Sequence, residues 1–172
     1  AAAPEHAVCY PGKLGDQIPH LFAAFDGIVA VVSLGALVRL VAPHLKSKER
    51  DPGIVVIDEG GRFSIPMLSG HLGGGNALAG LVAEALGATP VLTTASDSRQ
   101  TLAVDLLGRE LGWTFEASHD ELVRAAAAVV NDEPVALVQE AGSPDWWPRH
   151  ANGRNGPLPA NLSRFNRLEE VD

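Results

Sequence analysis

The sequence predicts an open, three-layer α/β fold on a mostly parallel sheet, with a smaller, partial α/β segment on the carboxyl-terminal side. Three observations carry this expectation. Short β-branched apolar runs, "DGIVAVVS" at 26–33 and "DPGIVVID" at 51–58, read as strands buried on both faces. Stretches of helical period stand between and after them. Forty-six percent of the 172 residues are apolar, enough for a sizeable core. Strand and helix in alternation imply a parallel sheet covered by helices.

Each element has its own signal. In "LGALVRLVAPHLKSK", Leu37, Leu40, Val41 and Leu45 recur at helical spacing, and Pro43 ends or kinks the regular part. "GGRFSIP" at 60–66 reads as a turn and a short return strand. From Asn76, "NALAGLVAEALG" is a helix with Leu78, Val82 and Ala85 on one face and Gly87 as its terminating glycine. "TPVLTT" at 89–94 reads as a third strand, and "SRQTLAVDLLGRELGW" at 98–113 as a helix. Ser118 and Glu121 have capping-box spacing at the start of the next helix, and "EPVALVQE" is a strand. The tail from Gly142, rich in Pro, Gly and Asn, is expected to be loop-rich, with Trp146 and Trp147 as a local hydrophobic anchor. The expected domains are 1–112 and 113–172.

Charge and composition narrow the function. A formal net charge of −8 argues against nucleic acid or an anionic membrane as the main partner. A small anion is still compatible, because local loops override net charge. No apolar run approaches the roughly 20 residues of a membrane span, and "AAAPEHAVCY" has no secretory pattern. Cys9 is the single cysteine, so no internal disulfide forms and a cytoplasmic location is expected. Histidines at 6, 20, 44, 71, 119 and 150 have no ligand spacing, so no protein-bound metal or other cofactor is expected.

The chemistry-bearing residues cluster in loops after strands, where open α/β sheets bind ligands. Ser33 with Gly35, Asp58 with Glu59, and Thr93 with Thr94 and Asp97 all follow apolar runs, and "SGHLGGGN" at 69–76 leads into a helix. All are expected at one carboxyl edge. Gly73, Gly74, Gly75 and Asn76 suit an anion site at a helix start, or equally a flexible turn with Asn76 as a plain cap. The motif is neither a Walker loop nor a dinucleotide fingerprint. Ser69 and His71 are two apart, compatible with a nucleophile and base or with a capping serine beside a ligand-binding histidine. Asp58 or Glu59 is a candidate base at a strand end, or a solvated acid.

Residues 26–97 strongly resemble the amino-terminal domain of the CbiG family of cobalamin biosynthesis. The resemblance rests on V-R-L-V-A-P at 38–43, Lys48, D-P at 51–52, D-E at 58–59, L-S-G-H-L-G-G-G-N at 68–76, and G-A-T-P-V-L-T-T-A-S-D at 87–97. Residues 98–172 resemble the family's middle segment more loosely. Leu34 is bulkier than the small residue usual in the turn before V-R. The family's carboxyl-terminal domain has no counterpart here, and the domain also occurs fused to a precorrin methyltransferase. The chain is therefore expected to be one piece of a larger polypeptide, working with other corrin-pathway enzymes or a fused domain.

The resemblance implies hydrolytic opening of the ring-A δ-lactone of cobalt-precorrin-5A, an anionic tetrapyrrole that brings its own cobalt, with release of acetaldehyde. The alternative is a tetrapyrrole-binding domain that leaves the chemistry to a partner. In a hydrolase, His71, Glu59, Asp58 and Ser69 are the catalytic candidates. Arg39, Lys48, Gly73, Gly74, Gly75, Asn76, Thr93, Thr94 and Asp97 are the substrate-binding candidates. Water is preferred over Ser69 as nucleophile, because no spacing demands a triad.

Overall fold

The computed structural model describes residues 7–48, 50–108, 112–114, 116–143, 146–147 and 157–171. They divide into two compact units, one ending at Val91 and the other beginning at Leu92.

The first unit is organised around β2 (Gly53–Ile57), in which every residue is buried. It pairs in parallel with β1 (Gly27–Val31), with Val29 opposite Val55. On its other side runs β3 (Phe63–Leu68), antiparallel, with Ile57 opposite Ser64 and Ile54 opposite Leu68. A two-residue strand, β4 (Thr89–Pro90), completes the order β1-β2-β3-β4 parallel to β3.

Successive side chains on a strand face opposite ways. Ile54 and Val56 therefore meet Ile18 of α1 (Leu14–Ala24) and Leu37 and Val41 of α2 (Leu34–Val41). Val55 and Ile57 meet Ala79 of α3 (Gly75–Leu86) on the other face. These are the three expected layers. Small residues let α3 lie close to the sheet: Ala79 and Ala83 are its buried side chains, and the fully buried Ser64 hydroxyl donates to the Ala79 carbonyl at 2.8 Å. Ala85, expected on the inner face, is exposed, because the buried stripe runs through 79 and 83 instead. Gly87 ends α3 in the left-handed region at φ 65, as a terminating glycine does. Pro43 falls in a 3-10 turn, Ala42–His44, directly after α2.

The second unit departs further from expectation. The third expected strand is limited to Thr89–Pro90, within the first unit, and the second unit opens without strand on a short helix, α4 (Ala95–Ser98). The helix expected over 98–113 does not form in its described part. Gln100 (φ 52) and Gly108 (φ 72) take left-handed backbone, which no α-helix accommodates, and only Val104–Leu106 makes a 3-10 turn. Leu102 is buried from this irregular backbone, together with Val129, Trp146, Trp147 and Leu162. The capping box is present: Ser118 accepts from the Glu121 amide at the start of α5 (His119–Val130), and Glu121 accepts from the Ser118 amide at 2.8 Å. Strand β5 (Val135–Val138) pairs in parallel with β6 (Leu162–Phe165), which comes from the loop-rich tail. Both tryptophans are core residues, and the Trp146 indole donates to the Gln139 side chain at 2.8 Å.

Ile54 is fully buried between the layers. Replacing it with Ala is expected to cost about 2–5 kcal/mol, read as a lower urea midpoint at unchanged m-value.

Candidate functional site

The antiparallel course of β3 separates loops expected at one edge. β1 and β2 end at one edge of the sheet, where Ser33, Asp58 and Glu59 follow. β3 ends beside Ile54 at the start of β2, so Ser69 to Asn76 lie at the opposite, amino edge. A five-residue strand at about 3.3 Å per residue sets the two groups roughly 13 Å or more apart. The expectation of a single carboxyl edge fails here, because a return strand reverses which end of the sheet its following loop occupies. Arg39, exposed in the last turn of α2, and Lys48, exposed in the following loop, lie on the chain's return from the carboxyl to the amino edge.

Ser69 opens the amino-edge loop in the left-handed region, at φ 50, an unusual conformation for a residue with a side chain. Its hydroxyl donates to the backbone carbonyl of Asp51 at 2.9 Å. A hydroxyl has one proton to give. With that proton on Asp51, Ser69 is not paired with His71 as nucleophile and base in this state. Asp51 also organises the chain before β2: both its carboxylate oxygens accept from the Lys46 amide, at 3.1 and 2.9 Å. His71 is half-buried, and its carbonyl accepts from Gly74.

The glycine run works mainly as close packing. The amides of Gly74, Gly75 and Asn76 bond to the carbonyls of His71, Ser69 and Gly70 at 2.9, 3.1 and 2.8 Å. Those three donors close the loop on itself rather than pointing at a ligand. A side-chain carbon on Gly53 would sit 2.6 Å from the Gly73 carbonyl oxygen and 2.9 Å from the Gly75 nitrogen. One on Gly75 would sit 2.7 Å from the Leu68 carbonyl oxygen. Gly74 has open space around it but needs φ 77. The loop thus lies directly on the start of β2.

At the carboxyl edge, Asp58 holds a turn. Its carboxylate accepts from the amides of Arg62 and Phe63 at 2.7 and 2.8 Å, and from the Arg62 guanidinium at 3.1 Å. The Phe63 amide, with Arg62, holds its pKa below the ordinary carboxylate value. Such a group is a weak base. Glu59 is exposed beside it. A shallow cleft of about 580 Å³ opens here between Ser33, Leu34, Glu59, Arg62 and Ile65.

Thr93, Thr94 and Asp97 belong to the second unit. The Thr94 hydroxyl donates to the Asp97 carboxylate, and the Ser98 hydroxyl to the Thr94 carbonyl at 3.0 Å, so this segment bonds to itself around α4. Among the described residues, no three His, Cys, Asp or Glu side chains gather as a metal site. No described helix is long and apolar enough to cross a membrane. Sequence reasoning missed Lys46, Arg50 and Asp51, the loop that Ser69 grips. The basic run before Asp51–Pro52 was the available signal.

These features define an α/β protein whose glycine-rich strand-to-helix loop is tied to a basic loop at the sheet's amino edge. Two family models match the chain, Cobalamin synthesis G N-terminal over residues 16–97 and Cobalamin biosynthesis central region over residues 102–155. A protein of Priestia megaterium named cobalt-precorrin-5A hydrolase is 42% identical over 160 residues, 93% of this chain and 41% of the relative. A Salmonella typhimurium protein of the same name is 36% identical over 172 residues, 98% of this chain and 47% of the relative. The chain thus spans less than half the length of either. A solved cobalamin biosynthesis protein G homolog from Sulfolobus solfataricus is 26% identical, with a TM-score of 0.48 over 86% of this chain and 40% of that one. The chain belongs to the CbiG family of cobalamin biosynthesis proteins.

Three outcomes follow from the site's geometry. Gly53→Ala is expected to push the glycine loop off β2 and cost about 1–3 kcal/mol in urea unfolding. Gly35→Ala, in α2 with nothing within 4 Å, is expected to be neutral or stabilising. Asp58 has a depressed folded pKa. Its contribution to stability is therefore complete above the ordinary Asp value of about 3.9 and is lost as pH falls through the folded value. Asp58→Asn is expected to flatten that part of the acid limb of the urea midpoint against pH.

Proposed function

We propose that this chain is part of a cobalt-precorrin-5A hydrolase and that its share of the reaction centre is the amino edge, not the carboxyl edge. The observation that carries this choice is the tie between Ser69 and Asp51, which joins the glycine-rich loop to the basic run through Lys46, Lys48 and Arg50. The lactone substrate carries many acetate and propionate carboxylates. A polyanion is drawn to Arg39, Lys46, Lys48 and Arg50 and repelled by Asp58 and Glu59.

In this reading His71 takes the proton of an attacking water and returns it to the alkoxide freed when the lactone C–O bond breaks. Ring-A lactone opening releases acetaldehyde, and cobalt enters and leaves with the tetrapyrrole. Ser69 acts as a positioning residue through Asp51. Gly73 to Asn76 hold the loop's shape, so the carboxylates are met by cationic side chains. Thr93, Thr94 and Asp97, which lie in the second unit, are the remaining substrate-binding candidates. Further polypeptide of the kind found in the longer relatives, or a fused precorrin methyltransferase, supplies the rest. The single cysteine supports a cytoplasmic setting.

Acetaldehyde release from the lactone by the full-length polypeptide tests the assignment. His71→Ala is expected to fall roughly 10²- to 10⁴-fold, Ser69→Ala less, and Glu59→Gln close to wild type. A large loss in Glu59→Gln with His71→Ala unaffected moves the reaction to the carboxyl edge. Tetrapyrrole binding with normal rates in all three variants makes this chain a binding module.

A further inference from the structure

We propose that the cleft between α1 and the loop after α2 is a subsite for one carboxylate-bearing pyrrole ring, its acid arm held by Lys46 and Arg50. The proposal rests on the tetrapyrrole reading above and names where one ring of such a molecule is gripped.

The cleft encloses about 330 Å³, suited to one ring and its side arm and too small for a whole macrocycle. Its apolar wall comes from Pro19, Phe22 and Ala23 of α1, with Pro43 and Leu45 opposite. His44 stands edge-on to Phe22, with ring centroids 6.5 Å apart, and both aromatic rings line the cleft. Flat aromatic walls favour a flat guest through stacked or edge-to-face contact. Lys46, Arg50 and Asp51 form the polar rim.

The rim is basic against the trend of the chain. Residues 39–51 hold four of the 13 Lys and Arg residues against two acids, in a protein of net charge −8. The Asp51 carboxylate is turned to the Lys46 amide with both oxygens. Among the described residues, neither the Lys46 nor the Arg50 side chain makes an ion pair. Two cations beside an apolar wall suit a carboxylate on a ring better than a free inorganic anion, which gains nothing from the wall.

The rim is also held in place before a ligand arrives. The Lys46 amide bonds to Asp51, the Arg50 and Asp51 amides bond to the Ser47 carbonyl at 3.1 and 2.9 Å, and the Asp51 carbonyl accepts from Ser69. A fixed loop loses little freedom on binding, which favours affinity. Through Ser69 the cleft is one hydrogen bond away from the loop that carries His71. A ring seated here thus bears directly on the geometry of the proposed reaction centre.

The test titrates the protein with a monopyrrole bearing acetate and propionate arms, and separately with its dimethyl ester, following the Phe22 and His44 ring protons by NMR. The diacid is expected to shift both rings saturably, and the ester to bind at least tenfold more weakly. Lys46→Gln/Arg50→Gln, at two exposed positions, is expected to weaken the diacid at least tenfold while circular dichroism stays unchanged. Inorganic phosphate is expected to compete weakly. Equal affinity for ester and diacid, unchanged affinity in the double variant, or full competition by phosphate at equal concentration overturns the subsite. Acetaldehyde release by the unaltered full-length polypeptide is read in parallel. Turnover without diacid binding at Phe22 removes the subsite alone, and diacid binding without turnover removes the hydrolase reading alone.

Discussion

Burial of β2 on both faces is the constraint on which the first unit depends. Gly53–Ile57 is the only strand among the described residues with every position buried, and its alternate side chains anchor different layers. A strand in that position needs a neighbour on each side for its backbone hydrogen bonds. One neighbour, β1, runs parallel through the α2 crossover. The other, β3, returns antiparallel after a tight turn held by Asp58. The direction of β3 sends the glycine-rich loop to the amino edge, and the functional geometry follows from it.

That loop illustrates how packing and chemistry share residues. Gly53, Gly73 and Gly75 allow backbone to lie on backbone at distances no side chain tolerates. The amides of Gly74, Gly75 and Asn76 close upon the loop's own carbonyls. A rigid scaffold results, on which His71 and Ser69 have defined places, and Ser69 extends the scaffold to the loop carrying Lys46 and Arg50. Left-handed backbone at Ser69 is strained. Strain of this kind persists where surroundings over-determine it, and here the hydroxyl bond to Asp51 and contact with Gly73 do so.

The second unit is built on other terms. Its core is formed by Leu102, Val129, Leu162 and two tryptophans, gathered from irregular segments as much as from α5 and the β5–β6 pair. Trp146 and Trp147 meet edge to face at 88°, and burying two such large rings compensates for little regular structure. At its start the Thr94 hydroxyl donates to the Asp97 carboxylate around a single helical turn.

Local signals in the sequence determined much of this protein. β-branched runs at 27–31 and 53–57, the left-handed Gly87, the Ser118–Glu121 box and the motif around L-S-G-H were legible because each depends on neighbouring residues alone. Helix α1 was not, because Pro19 interrupts its interior and its burial rests on Ile18. The 98–113 segment read as helix because its leucines have the right period, yet left-handed backbone at Gln100 and Gly108 breaks it and Leu102 is drawn into a core assembled from distant parts. The turn and return strand at 60–66 were legible, but the edge at which Ser69 to Asn76 lie was not. It depends on β3 pairing with β2 all the way to Leu68 opposite Ile54, and that extent is set by pairing across the sheet rather than by any residue of the loop itself.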